Sequence, residues 1–223
     1  MKWYLDFGHG GKDPGALGQN KTKESDTVLK IGLLIKNNLE KAKETVVTTR
    51  ENDTYHSLES RSSKANKENC DYFISLHMNA STNKTANGCE VWVYDKSSKL
   101  YNLATQISTN LSKKINTPNR GVKISKDFSV LRKTNMPALL IEIDFISNKE
   151  VENNLTSSKY IQDIANTISA SLLSFVNKSI TTNQNSQVLY RVCIGAFNDK
   201  CNATKLLNEA ISKGFKDSYI SIK

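Results

Sequence analysis

Pro137-Ala138-Leu139-Leu140-Ile141-Glu142-Ile143-Asp144 is the stretch that decides the fold. Residues 138–143 are apolar on both faces apart from one glutamate, and they follow a proline, a residue that opens strands but cannot donate within a sheet. A strand apolar on both sides belongs in the middle of a sheet with both faces covered, the usual condition of a parallel sheet. Working outward, residues 2–7 and 72–76 are two more short apolar runs, residues 45–49 are rich in β-branched side chains, and residues 89–94 read as a further strand. Between them Val28, Ile31, Leu34, Ile35 and Leu39 recur at helical spacing. Leu58, Arg61 and Ala65 suit a second helix and residues 100–115 a third. Tyr160, Ile161, Ile164, Ile168, Leu172 and Val176 give a long closing helix. Pro118-Asn119-Arg120-Gly121 reads as a loop. Strands alternating with helices imply an α/β domain with a mostly parallel central sheet, flanked by helices and joined by right-handed crossovers.

Residues 179–187, Ser-Ile-Thr-Thr-Asn-Gln-Asn-Ser-Gln, have almost no apolar content and read as a linker. Beyond it a strand over 188–194, a helix over 203–212 ended by Gly214, and a strand over 218–222 suggest a small β-α-β module. The expected organisation is therefore a main domain over 1–178, a linker over 179–187 and a module over 188–223. With 31 Lys and Arg against 22 Asp and Glu the chain carries +9, which favours an anionic partner. The lysines are scattered and aromatic residues are 8%, so a stacking platform for nucleic acid is not expected. No apolar run approaches the roughly 20 residues of a membrane span. Asp6 stands where a signal peptide needs its apolar centre, so synthesis in the cytoplasm without an export signal is expected. Cys70, Cys89, Cys193 and Cys201 form no C-x-x-C pair and read as free thiols.

The histidines are His9, His56 and His77, and two of them stand just beyond apolar strands. In open α/β sheets the carboxyl ends of strands converge on the ligand crevice, so His9 and His77 are expected to approach each other. Glu142 sits near the end of the strongest strand, where a carboxylate must be paired, protonated or facing a site. Two imidazoles and a carboxylate are the ligand set of many hydrolytic zinc sites. Glu24, at the start of the first helix, is the candidate third ligand, which leaves Glu142 as the carboxylate that takes a proton from zinc-bound water. Each residue also has a plainer reading. A lone histidine often braces a loop, Glu24 suits a helix N-terminus, and Glu142 equally suits a buried ion pair, with Asp144 two residues on as a competitor. His56 reads as an exposed loop residue. Phosphate-loop, dinucleotide and G-x-S-x-G signatures are absent.

The ordered set Asp6-Phe7-Gly8-His9-Gly10-Gly11-Lys12-Asp13-Pro14-Gly15-Ala16, Lys23-Glu24, Ser75-Leu76-His77-Met78-Asn79-Ala80 and Ile141-Glu142 closely resembles the zinc-dependent N-acetylmuramoyl-L-alanine amidases of the Amidase_3 family. The resemblance spans residues 1–177, with Thr49-Arg50 and Arg61-x-x-x-Ala65-Asn66 also matching. It implies a central sheet of about six strands, zinc (Zn2+) held by His9, Glu24 and His77, and Glu142 as the catalytic glutamate. It also implies cleavage of the amide between N-acetylmuramic acid and L-alanine in peptidoglycan, causing lysis. Phe7 stands where the family usually has proline, and Arg61 and Asn79 are expected to be structural. Tyr190-Arg191-Val192-Cys193-Ile194-Gly195-Ala196-Phe197, with Ala203 and Lys213-Gly214-Phe215, resembles the first half of a SPOR-type wall-binding domain. The missing half suggests that two chains pair into a homodimer through this module, and the positive charge suits anionic cell-wall polymers. The alternatives are a zinc peptidase of stem or cross-bridge peptides and a non-catalytic wall-binding protein. Release by a phage holin, or by lysis of the host cell, would bring such a chain to the wall, and its shortness favours a phage endolysin over an autolysin.

Overall fold

A computed structural model describes residues 1–183 and 195–215, with Ser218 and Ile220. The run that carries Glu142 lies inside a six-stranded sheet, flanked on one side by parallel and on the other by antiparallel pairing. The strands are β1 (Lys2–Phe7), β2 (Thr45–Thr48), β3 (Tyr72–Asn79), β4 (Cys89–Val93), β5 (Asn119–Ile124) and β6 (Ala138–Phe145), in the order β2-β1-β3-β6-β4-β5. All pairings are parallel except β4 with β6. The sheet is thus mixed but mostly parallel. The carboxyl ends of β1, β3 and β6 meet the amino end of β4 at one edge.

Helices α1 (Glu24–Lys41), α3 (Tyr101–Ile115) and α6 (Ser158–Asn183) share one core with one face of the sheet. Their buried stripes, Val28-Ile31-Ile35-Leu39, Leu103-Ile107-Leu111 and Ile161-Ile164-Ile168-Leu172, follow the 3.6-residue period. Helices α2 (Leu58–Lys67) and α4 (Ser129–Arg132) cover β1, β3 and β6 on the other face through Ala65, Val130, Leu131, Phe73 and Leu140. Gly32 of α1 lies against the ring of Phe7, which is fully buried. A short α5 (Lys149–Asn154) follows β6.

The structure departs from the sequence reading at three places. Residues 119–124, taken in part as a loop, are edge strand β5: their polar content and Gly121 suit a strand paired on one side only. Strand β3 runs past His77 to Asn79, because Met78 and Asn79 continue the ladder to β6 through a bulge. Helix α6 continues to Asn183, into the stretch taken as a linker.

The chain divides into two compact units, Met1–Ile180 and Thr181–Lys223. In the second, α7 (Lys200–Ser212) begins where the Asp199 side chain accepts a hydrogen bond from Asn202 N at 3.0 Å. It ends as Gly214, at φ 99°, lets Phe215 N donate back to Ala210 O. The strand expected over 188–194 lies outside the described residues, as does that over 218–222 apart from Ser218 and Ile220. Among the described residues Cys70, Cys89 and Cys201 are free thiols, and no helix is long and apolar enough to cross a membrane.

Candidate metal centre

The turn after β1 is the first constraint on the site. A buried carboxylate needs partners, and Asp6 has three: Arg61 Nη1 at 2.7 Å, Thr49 Oγ1 at 2.6 Å and Ser75 Oγ at 2.7 Å. Burial opposes its charge, but Arg61 and Thr49 hold its pKa below the ordinary carboxylate value. Arg61 also donates to the carbonyls of Phe7 at 2.9 Å and His9 at 2.8 Å. Arg50 donates to those of Phe7 at 3.1 Å and Gly8 at 2.9 Å. Two buried guanidinium groups therefore clamp the turn that carries His9. That turn needs clamping, since His9 has φ 59°, a left-handed conformation uncommon for a side chain of its size.

So held, His9 turns Nδ1 to Asp13 Oδ2 at 2.9 Å and Nε2 to Glu24 Oε1 at 3.1 Å. His77, at the end of β3, places Nδ1 2.9 Å from the same Glu24 oxygen. Glu24 is buried in the first turn of α1 and accepts further bonds from Met78 N at 2.9 Å and Ala16 N at 2.8 Å. The two imidazole rings are 5.0 Å apart and meet edge to face. One ligand atom each from His9, Glu24 and His77 falls within 4.8 Å of the others. Glycine is required around them. A Cβ on Gly15 would stand 2.6 Å from both Glu24 Oε2 and His9 Cδ2, and one on Gly8 2.7 Å from His77 Nδ1.

Glu142 stands directly opposite His77 in the β3/β6 register. Its Oε2 is buried and has no hydrogen-bond partner among the described residues. Burial pushes its pKa up to about 7, with the nearby charge of His77 pulling down and those of Glu24 and Glu90 adding to the rise. The histidines shift for the opposite reason. Burial disfavours their charge, but the Glu24 hydrogen bond and charge outweigh it, so His77 is raised and His9 reaches about 8 with help from Asp13. Glu24 is pushed up by burial and pulled down further by His77 and His9, ending well below the ordinary range. Three donors converging on one point beside a free carboxylate oxygen can hold a cation and move a proton next to it.

These groups line a cleft of about 480 Å³, which runs on past Tyr55, His56, Leu58 and the 127–130 segment. His56, taken from sequence as an exposed loop residue, is partly buried and lines this cleft, with Nδ1 3.4 Å from Ser60 Oγ. Asp144 is separated from Glu142 by the bulge: it accepts from Gly88 N at 2.8 Å and Phe145 N at 2.7 Å and bounds no part of the cleft. Arg61 and Asn79 brace the site through Asp6 and Glu90. Asp13 and Arg50 were not singled out from sequence as site residues. The spacing of Asp13, four residues from His9 in an Asp-Pro-Gly turn, was the available signal, whereas nothing local betrays what Arg50 touches.

The chain is similar to known proteins. A sequence model of the Amidase_3 family, N-acetylmuramoyl-L-alanine amidase, matches residues 4–174. The sporulation-specific N-acetylmuramoyl-L-alanine amidase of Bacillus subtilis is 35% identical over 226 aligned positions, covering 100% of this chain and 85% of its own length. The endolysin of Bacillus phage SPP1 is 38% identical over 73% of this chain and 61% of its own. Among solved structures, an N-acetylmuramoyl-L-alanine amidase from Clostridium difficile 630 superposes with a TM-score of 0.75 at 34% identity, covering 79% of this chain and 96% of that one.

Proposed function

The chain belongs to the Amidase_3 family of N-acetylmuramoyl-L-alanine amidases, and on that premise we propose that His9, Glu24 and His77 hold a zinc ion and that Glu142 is the general base. The enzyme is a peptidoglycan hydrolase that cleaves the amide between N-acetylmuramic acid and the L-alanine of the stem peptide. The donor set fits zinc, since two imidazoles and a carboxylate are a common hydrolytic ligand set that leaves a position for water. Bound there, zinc supplies a Lewis acid and acidifies that water.

The chain's own residues do the rest. Asp13 takes the Nδ1 proton of His9 as a hydrogen bond, fixing the tautomer that presents Nε2 inward. Arg50 and Arg61 hold the turn so that His9 keeps this aim. Glu142, near neutral pKa and with Oε2 unpartnered, takes a proton from the attacking water and returns it to the departing alanine nitrogen. That orphaned buried oxygen beside three convergent donors is the observation that carries the reading. Asp144, whose Oδ1 is committed to backbone amides, is not the base.

The second unit is proposed to bind the wall, with the +9 charge attracting anionic polymers and two chains pairing through it. Relatives of both kinds, a sporulation-specific amidase and a phage endolysin, support action on the wall as an endolysin or as an autolysin freed by lysis of the producing cell.

Mass spectrometry of products from purified peptidoglycan, with chelator and with zinc restored, tests the reading. Metal-dependent release of peptides beginning with L-alanine is expected. A different new amine would make the enzyme a peptidase, and release undiminished by chelation would remove the metal.

A further inference from the structure

Beyond Glu142, on the same face of the sheet, lies a polar shelf that the mechanism does not use. Glu90 of β4 is the antiparallel register partner of Glu142, so both side chains leave the sheet on one side. Glu90 is buried, and both of its oxygens are committed. Oε1 accepts from Asn79 Nδ2 at 3.0 Å and Trp92 Nε1 at 3.2 Å, while Oε2 accepts from Arg120 Nε at 2.7 Å. With three hydrogen bonds on its two oxygens it serves as an anchor for the groups around it.

What it anchors is Arg120, on edge strand β5. The Arg120 guanidinium carbon lies 5.0 Å from the centre of the Phe145 ring, and the side chain is 43% exposed. One edge of the group is spent on Glu90. Its Nη1 and Nη2 have no hydrogen-bond partner among the described residues. A guanidinium fixed through Nε and packed on a ring keeps a forked donor edge free, the geometry that binds carboxylates.

Position says whose carboxylate. With Glu142 as the proposed acid that returns a proton to the alanine nitrogen, that nitrogen and the peptide attached to it would lie on the Glu142 side of the metal centre. The groups next outward from Glu142 along the sheet, just past the lining of the cleft and away from His9, Glu24 and His77, are Glu90 and Arg120. We propose that Arg120, aligned by Glu90 and Phe145, forms a subsite that binds a carboxylate of the departing stem peptide. This rests on the amidase reading above and adds the selection of peptide carboxyl chemistry to it.

The test uses the full chain, loaded with zinc, on soluble muropeptides whose stem carboxyl groups are free or amidated one at a time, with Arg120→Gln and Arg120→Lys beside the wild type. Wild-type release of L-alanyl peptides checks the underlying reading, and its absence would overturn that reading whatever Arg120 does. Given that release, amidating one particular carboxyl should lower wild-type kcat/KM at least about tenfold, as expected for losing a charge-assisted pair. Arg120→Gln should lose as much on the free-acid substrate, mainly through KM, and lose nothing further on amidation. Arg120→Lys should recover part of the preference. Equal, additive penalties for mutation and amidation, or a wild type indifferent to amidation at every carboxyl, would overturn the subsite. A merely structural role for Arg120 lowers all substrates alike and leaves the preference intact.

Discussion

Glu24 and Glu142 are the same residue type on either side of His77, and their surroundings drive them apart. Glu24 accepts from two imidazoles and two backbone amides and stays ionised, whereas Glu142 is buried with one oxygen unpartnered and rises to about 7. The sign of the consequence follows. In the metal-free chain the folded state keeps the Glu142 proton from its unfolded value near 4.5 up to about 7, so stability falls as pH rises through that window and is level above it. Glu142→Gln carries no such titration. Thermal unfolding in chelator should show the variant equal to wild type near pH 4 and more stable by a few degrees above pH 7. Turnover should nonetheless fall by about 10² to 10⁴-fold with zinc still bound near stoichiometrically. Asp13 acts one bond further out. It is partly exposed, so Asp13→Ala should leave the melting temperature of the metal-free chain almost unchanged while weakening zinc about 10- to 100-fold in a competition titration with a chelator. The cluster of His9, Glu24 and His77 beside Glu142 was legible because histidine and glutamate beside strand ends are chemically conspicuous. Asp13 was not, because a short Asp-Pro-Gly segment reads first as a turn.

At the level of elements, the turn from β1 toward α1 is held in place by α2 and by the segment after β2. Arg61 of α2 meets Asp6, Phe7 and His9, and Arg50 meets Phe7, Gly8 and Ser25. Removing one partner of such a buried pair leaves the other charge without compensation, so Arg61→Ala should cost about 3–5 kcal/mol in denaturant unfolding. Arg61→Lys should recover only part, because an ammonium cannot reach the separate acceptors at once. In α2 the arginine has the spacing of a core position, and only tertiary contact shows that the turn depends on it. The bulge between β3 and β6 has a similar status. Alternation along a strand puts Glu142 and Asp144 on one face, and the bulge moves Asp144 onto the amides of Gly88 and Phe145. Strand β5 escaped notice because an edge strand is free to be polar, and with it went the Arg120 that packs on Glu90.

On the scale of the whole molecule, the division near Ile180 predicts separable behaviour. A chain ending at Ile180 should keep zinc binding and turnover of soluble muropeptides within about twofold, and should lose affinity for sedimented walls. Wall binding by the full chain should weaken steeply between low and physiological salt, as attraction by a net charge of +9 is screened. Cosedimentation across a salt series checks both statements, and undiminished binding by the shortened chain would remove the wall-binding role from the second unit. The α/β class, the helices with apolar stripes and the central strand that carries Glu142 were determined by sequence alone, because burial imposes a period on the residues it covers. Convergence of His9, Glu24 and His77 was foreshadowed by the ends of strands and helices. Tertiary structure alone decided that β6 is antiparallel to β4, that Asp144 is turned away, that two arginines brace His9, and that Arg120 has a free edge beside Glu142. Those facts depend on contacts between residues far apart in the chain, where no local spacing records which partner a side chain finds.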